Sequence, residues 1–340
     1  MKLLFIADIH IKLGQKNVPI PWALNRFTLF LQQLGVMQEQ ADLVILGGDI
    51  FDRLPTMDEV ELYFDLIASI TKPCIIYAGN HEAIKKDTTF LSFLKKATHR
   101  LNPLVRIVDS YEYLVAYDLD IIPYNCLDDF KKHPDKYKQG SICASHFRAE
   151  IPPHVKPELD LDLFNSWKVV LAGDLHSYEN SQRNILYPGS PYTTSFHRNT
   201  VDTGAILFDT GTMDHVWLKF ELPQLIKKSL AAGEMPEATE FHHTIYDVEG
   251  DMQELANLKD SDLIGKKVVK RSTETALMLS PEASITEELQ EYLTYILELP
   301  EDTVAKTIME FLANYNKLAE WLYSKNYDGV THSRTAQIIG

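Results

Sequence analysis

Along the first two hundred residues, short apolar runs rich in aliphatic and β-branched residues stop abruptly at clusters of Asp, His, Asn or Gly. Runs of this length read as buried strands, and the polar cluster that ends each one as the loop leaving the strand's C-terminal end. Leu3 to Ala7 ends in Asp8-Ile9-His10, Leu43 to Leu46 in Gly47-Gly48-Asp49, and Cys74 to Ala78 in Gly79-Asn80-His81-Glu82. Ile142 to Ala144 ends in Ser145-His146, and Val169 to Ala172 in Gly173-Asp174-Leu175-His176. Over about Trp22 to Gln38 and Met57 to Ser69, apolar residues recur at three- and four-residue spacing, which predicts helices. Strand and helix alternate, so the pattern predicts an α/β core with helices packed outside a sheet.

Near Gly204 the alternation gives way to strand-like Ala205 to Asp209 and Val216 to Phe220, then to Pro223 and a polar stretch from Gly233 to Glu240. A boundary in that region separates a main domain, residues 1–215, from a small mixed unit, residues 216–280. Within the latter, His243 to Val248, Met252 to Leu258 and Lys267 to Leu279 predict strand, helix and strand. Residues 281–340 carry two amphipathic faces: Leu289, Tyr292, Leu293, Ile296 and Leu297, then, after Pro300, Val304, Ile308, Leu312, Tyr315, Leu318 and Leu322. These predict two helices joined by a short turn.

The strand ends carry the chemistry. Asp8 and His10 stand two apart, so a strand's alternation or a tight loop can aim both at one point, and Asp with imidazole is an ordinary shell for a divalent metal. Either that pair or Gly48-Asp49, taken alone, also fits a solvated turn. Asn80 offers a carbonyl oxygen, and the adjacent His81 can carry a proton beside an ion. His146 closes an apolar strand, and Asp174 with His176 repeats the two-residue spacing. Clusters of this kind at successive strand ends meet in the crevice where open α/β sheets assemble sites. So many ligands exceed the needs of one ion and suit two ions bridged by a carboxylate, the arrangement that clamps an in-line displacement at phosphorus. Phosphoester hydrolysis is the reaction this predicts.

Together, Asp8-x-His10, Gly48-Asp49-x-x-Asp52, Gly79-Asn80-His81-Glu82, His146 and Gly173-x-x-His176 resemble the signature of calcineurin-like metallophosphoesterases over roughly the first two hundred residues. Gly48-Asp49-Ile50-Phe51-Asp52, Ile122-Pro123-Tyr124 and Tyr187-Pro188-Gly189-Ser190-Pro191 are similar to the SbcD type within that superfamily, the nuclease subunit that works with an SbcC-type ATPase. The resemblance implies a four-layer α/β metallophosphoesterase sandwich with a small α/β capping domain and a C-terminal helical hairpin. It implies a first metal held by Asp8, His10, Asp49 and His176, and a second held by Asp49, Asn80, His146 and Asp174. The ions would be two manganese, with magnesium as the other candidate, and His81 would stabilise the transition state or protonate the leaving oxygen. One position departs from the family: Gly-His-x-His is replaced by Gly173-Asp174-Leu175-His176, so a carboxylate stands where an imidazole is usual, and Asp174 is expected to serve as a ligand for a hard divalent ion.

The net charge of −15, from 33 Lys and Arg against 48 Asp and Glu, argues against a protein that coats nucleic acid nonspecifically. The acid excess is concentrated, however: residues 221–340 hold 11 basic and 21 acidic groups, whereas residues 131–220 hold 10 of each. Lys85, Lys86, Lys95, Lys96 and Arg100, with Arg106, follow the Asn80-His81 motif and are the candidate DNA contacts; each basic cluster also fits a solvated face. The three cysteines have no paired spacing, which excludes a disulfide framework or thiolate zinc site. Asp8 cuts the first apolar run too short for a signal core, and no later run approaches a membrane span, so a cytoplasmic protein, or a host-cytoplasmic one if phage-encoded, is expected. No Gly-x-x-x-x-Gly-Lys-Ser/Thr occurs, so any ATP is hydrolysed by a partner. The resemblance implies that this partner is an SbcC-type ATPase on the C-terminal helices, that the substrate is DNA cut as a 3′–5′ exonuclease and as an endonuclease, and that the chain forms a homodimer. Two other classes stay open: a phosphoesterase for a small molecule or phosphoprotein, and a noncatalytic scaffold.

Overall fold

The computed structural model describes residues 1–340 except 86–87, 154, 235, 260, 270–283, 298 and 325–340, and leaves the side chains of 85, 285, 295–296 and 314–324 undescribed. In its first half the chain runs β1 (Lys2–Ile6), α1 (Ile20–Gln38), β2 (Leu43–Gly47), α2 (Met57–Ser69) and β3 (Cys74–Tyr77). There follow a small hairpin, β4 (Ala83–Lys85) and β5 (Thr88–Thr89), then α3 (Phe90–Leu101) and β6 (Val105–Val108). Next come β7 (Glu112–Leu114), β8 (Leu119–Ile122), α4 (Leu127–Phe130), β9 (Ile142–His146), β10 (Val169–Gly173) and β11 (Ile185–Leu186). The chain continues through β12 (Gly204–Asp209), β13 (His215–Lys219), β14 (Leu225–Ala231), β15 (His243–Gly250), α5 (Met252–Asn257), β16 (Ile264–Val269), α6 (Ile285–Glu291) and α7 (Glu301–Ser324).

Two sheets form the core: one in the order β13-β12-β1-β2-β3-β6, the other β11-β10-β9-β8-β7. Strand alternation sorts the apolar residues into layers. Leu3, Phe5, Leu43, Ile45, Ile75 and Tyr77 point inward and meet Leu119, Ile121, Ile142, Ala144 and Leu171 of the second sheet. Leu4, Ile6, Val44, Leu46 and Ile76 point the other way and pack beneath Phe27, Phe30, Leu34, Tyr63, Leu66 and Leu94 of α1, α2 and α3. The far face of the second sheet, with Cys143, Val170 and Ala172, is covered by Phe130, Tyr137, Phe147, Phe164 and Trp167. Helices, sheet, sheet and an outer cover of short helical turns make the four layers the resemblance implies.

β1, β2, β3 and β6 are parallel, as are β8, β9 and β10, so the C-terminal ends of each set open on one edge. Local chemistry pins the loops there. Thr56 caps α2 in a capping box with Glu59, and the same Glu59 Oε1 accepts from Leu13 N at 2.6 Å and from Arg53 Nη2 at 3.0 Å. One buried carboxylate thereby fastens the segment after His10 to the segment after Asp52.

The expected boundary at residue 215 falls on the first residue of β13, which pairs with β12 from His215 to Lys219 and completes the first sheet. The chain divides into two compact units, Met1–Gly250 with Glu254–Val268 and Asp251–Gln253 with Val269–Gly340. In the first, β14, β15 and β16 form a small sheet around Tyr246, Val248 and Leu255. In the second, Leu293 and Val304 are buried while Tyr292 and Leu297 are exposed. The side chains of Ile296, Tyr315, Leu318 and Leu322 lie outside the described residues.

Candidate metal centre

Asp8, His10, Asp49, Asn80, His81, His146, Asp174 and His176 all leave the C-terminal edge of the two sheets. The backbone there is strained to aim them. Asp8, His10, Asp49 and Asp174 all have positive φ, at 57°, 47°, 49° and 102°, a conformation that costs a non-glycine residue energy and that concentrates at functional sites. The loops run in register: Asp8 N donates to Gly48 O, His10 N to Asp49 O and Ile11 N to Ile50 O. Gly48 is needed for close approach, since at φ +88° an added Cβ would stand 2.4 Å from His146 Nδ1. A Cβ on Gly79 would stand 2.2 Å from an Asp49 oxygen.

Donor atoms converge from both sheets. His10 Nε2 lies 3.1 Å from His176 Nε2, 3.6 Å from Asp49 Oδ2 and 3.9 Å from Asp8 Oδ1. His146 Nε2 lies 3.4 Å from Asp49 Oδ2, 3.1 Å from Asn80 Oδ1 and 4.0 Å from Asp174 Oδ1. His146 Nδ1 is 2.8 Å from Gly47 O and so carries the proton, which leaves Nε2 to face the carboxylate. Asp8, His10 and His176 form one group with ligand atoms within 4.8 Å of one another; Asp8, Asp49 and His146 form another, and His10, Asp49 and His81 a third. Asp49, like Asp8 and His10, belongs to two of the three groups, and its Oδ2 faces both His10 and His146, the position of a bridging carboxylate. Asp174 is anchored through its backbone, its N–H donating to both Asp8 oxygens at 3.1 Å, and its carboxylate stands at the edge of the second group.

The donor set fits divalent ions. Adjacent ligands on an octahedral ion at about 2.1 Å stand roughly 3 Å apart, close to the His10–His176 and Asn80–His146 separations. Asn80 Oδ1 also faces both Asp49 oxygens at 3.0 Å, oxygen against oxygen, an arrangement relieved by a cation between them or by reversing the amide. His10 Nδ1 is buried without a hydrogen-bond partner. The electrostatics tell the same story. Burial would raise the Asp49 carboxyl, but His146 outweighs it and holds the group well below the usual carboxylate range. Burial likewise opposes charge on His146, yet Asp49, Asp8 and Asp174 push that ring well above its ordinary value. At His10 burial, helped by the neighbouring His176 and His81 rings, outweighs Asp49 and Asp52 and lowers the ring to about 3, a neutral imidazole suited to ligation.

His81 sits over this assembly. Its N–H donates to Asp49 Oδ1 at 3.0 Å, and its ring is held by Nδ1 at 2.5 Å from Asp52 O, with Nε2 3.8 Å from Asp49 Oδ2. Glu82, whose role the sequence pattern did not reveal, is buried and accepts from Asp49 N, Phe51 N and Gly79 N at 3.1, 2.9 and 2.8 Å, locking two ligand loops together. Burial, then Asp49, pushes its carboxyl up to about 7.

Of the expected DNA contacts, Lys86 and the side chain of Lys85 lie outside the described residues. Lys95 pairs with Asp109 at 2.9 Å, whereas Lys96 and Arg100 are exposed on α3. The cations beside the ligands are others: Lys12 pairs with Asp52 at 2.7 Å, Arg53 lies 3.9 Å from the same carboxylate, and exposed Arg148 acts electrostatically on Asp174. Each stands within two residues of a motif position, and looking that far past each motif would have found them.

This geometry, two sheets delivering a carboxylate-bridged cluster of Asp, Asn and His from their strand ends, is that of a dinuclear phosphoesterase. Residues 1–179 match the calcineurin-like phosphoesterase family, and the chain belongs to it. It is a metal-dependent phosphoesterase. Over 329 residues it is 37% identical to the probable exonuclease subunit 1 of Escherichia phage T5, covering 93% of this chain and 100% of that protein. A putative phosphoesterase, 244L of Invertebrate iridescent virus 6, is 25% identical over 227 residues, 61% of this chain and 75% of the viral protein. Among solved structures, TT1561 of Thermus thermophilus aligns with 65% of this chain and 99% of its own at 11% identity, with a TM-score of 0.42. Among the described residues, no helix is long and apolar enough to cross a membrane.

Proposed function

We propose that this chain is a two-manganese DNA nuclease, acting as a 3′–5′ exonuclease on duplex ends and an endonuclease on single strands and hairpins. Magnesium is the alternative ion, and a homodimer is the working assembly. Its partner in this reading is an SbcC-type ATPase docked on the C-terminal helices as helices in a groove. The observation that carries the reading is Asp49, whose carboxylate faces both His10 and His146 beneath the His81 ring, in a chain 37% identical to a protein named as an exonuclease subunit.

Asp8, His10, Asp49 and His176 would hold one ion, and Asp49, Asn80, His146 and Asp174 the other. When bound, such a pair neutralises the phosphoryl oxygens and lowers the pKa of an attacking water. The chain supplies the rest. The carbonyl of Asp52 fixes the His81 tautomer with Nδ1–H inward, so the protonated ring can give its Nε2 proton to the ester oxygen as the P–O bond breaks. Glu82 and the Gly48 turn keep Asp49 from relaxing between turnovers. Lys12, Arg53 and Arg148 are the phosphate-facing cations in this reading, with Lys96 and Arg100 further out on α3.

The test uses linear duplex DNA, bis(p-nitrophenyl) phosphate and manganese, with and without the ATPase. Metal-dependent DNA degradation that is lost in His81→Ala is the expected result. Cleavage of the small diester with DNA left intact would assign the site to another phosphoester, and inactivity on both would leave a scaffold. Deleting residues 281–340 should abolish copurification with the ATPase while sparing diester cleavage.

A further inference from the structure

A cleft of about 630 Å³ opens at His176 and runs along Ser190 to Ser195 toward Tyr178 and Trp217. Its volume lies in the range of roughly 300–1,000 Å³ typical of small-molecule sites. One wall is almost all hydroxyl, with Thr193, Thr194 and Ser195 in sequence, and Thr194 Oγ1 stands 3.2 Å from His176 Nδ1, so the wall is continuous with the metal centre. The far end is aromatic: Tyr178 and Trp217 are half-buried, with ring centroids 5.7 Å apart. Behind the hydroxyl wall lies Arg26, 7% exposed, donating to Thr193 O at 2.9 Å with its guanidinium 4.4 Å from the Tyr192 ring centroid. Among the described residues Arg26 makes no ion pair; its guanidinium lies over the Trp22 and Tyr192 rings, which leaves a buried cation with no carboxylate beside it against this wall.

We propose that this cleft seats the nucleotide that stays on phosphorus when the strand is cut. This rests on the nuclease reading above and adds to it the place of the product nucleotide. The chemistry divides the cleft. The phosphate and sugar lie at the His176 end, where hydroxyls donate and Arg26 supplies positive potential. The base lies at the other end, where aromatic faces stack bases without regard to sequence, at about 1–3 kcal/mol per base. Glu179 and Asp202 also line the cleft, and Asp202 is paired with Lys219 at 3.2 Å. Across the site, His81 lines a separate recess with Arg53, Leu54 and Phe90. The rings of His81 and His176 flank His10 at 4.7 and 4.9 Å, so the leaving oxygen faces His81 while the retained nucleotide faces the cleft.

The test is isothermal titration of the manganese-loaded protein with thymidine 5′-monophosphate and, separately, inorganic phosphate, alongside cleavage of linear duplex DNA. The nucleotide is expected to bind at least tenfold tighter than phosphate. Ser195→Asp and Thr200→Asp, both at exposed positions of the cleft and compatible with folding, should bring that ratio close to one. Equal binding of nucleotide and phosphate by the unmodified protein, or a preference unchanged in both variants, would overturn the proposal even if DNA is cleaved. A nucleotide preference that the variants abolish, in a protein that leaves all DNA intact, upholds the cleft as a nucleotide site and removes the nuclease reading instead.

Discussion

His146 and His176 leave neighbouring parallel strands of one sheet, yet they end in opposite surroundings. The His146 side chain is fully buried, its Nδ1 is fixed by a backbone carbonyl, and its charge is set by Asp49. The His176 side chain is 41% exposed, its Nδ1 meets a threonine hydroxyl at 3.2 Å, and at this ring desolvation prevails over Asp49 and holds it below its ordinary value. On the nuclease reading the two ends of the centre do different work: the His146 end holds its ligand by buried, fixed contacts, and the His176 end is the one open to solvent and substrate.

Four substitutions bear on that contrast, from the largest effect to the smallest. His146→Ala should take DNA cleavage to background and leave one ion per chain, with no recovery in excess manganese, because Asp49 is then left buried without its partner. Recovery by added manganese would show the buried end to be as adaptable as the open one. His81→Ala should cost about 10²- to 10⁴-fold in rate, the range of a lost general acid, with the ion count unchanged; steady-state kinetics with metal analysis decides this. His176→Ala should raise the manganese needed for half-maximal cleavage on the order of 100-fold, with the maximal rate largely restored at saturation. Thr194→Val should show the same behaviour at about tenfold. If Thr194→Val cost more than His176→Ala, the hydroxyl wall would matter to catalysis in a way other than orienting that imidazole.

Much of the centre was legible because metal ligation demands particular residue types where apolar runs stop. Asp8-Ile9-His10 and Gly79-Asn80-His81 stand out against Leu3 to Ala7 and Cys74 to Ala78 for that reason alone. Helices α1 and α2 were equally readable from their spacing. What stayed hidden depends on partners far away in the chain. β12 inserts beside β1 through the pairing of Lys2 with Asp209, which no local pattern announces. β14 carries Lys227 and Lys228 in its middle and reads as polar, although its first residues, Leu225 and Ile226, are buried. Of the basic residues after Asn80-His81, Lys95, Lys96 and Arg100 stand on the helix α3, capped by Thr89, which the run of charges does not announce. Glu82 looks like any surface acid until three backbone N–H groups close around it. Arg26 looks like a helix surface residue until Trp22 and Tyr192 enclose it.

Asp174 sharpens the same comparison from the other side. Its backbone N–H grips Asp8 while its carboxylate sits 4.0 Å from His146, at the seam between the two ends. Burial raises its carboxyl, with His146 opposing. Asp174→Ala is expected to weaken the second ion while sparing the first.

If two ions share the Asp49 carboxylate, manganese titration of the intact protein and of Asp49→Asn, read by calorimetry and confirmed by elemental analysis, should find two ions per chain in the former and loss of both tight sites in the latter. One ion in the intact protein, or two retained in Asp49→Asn, would mean that Asp49 does not bridge a pair.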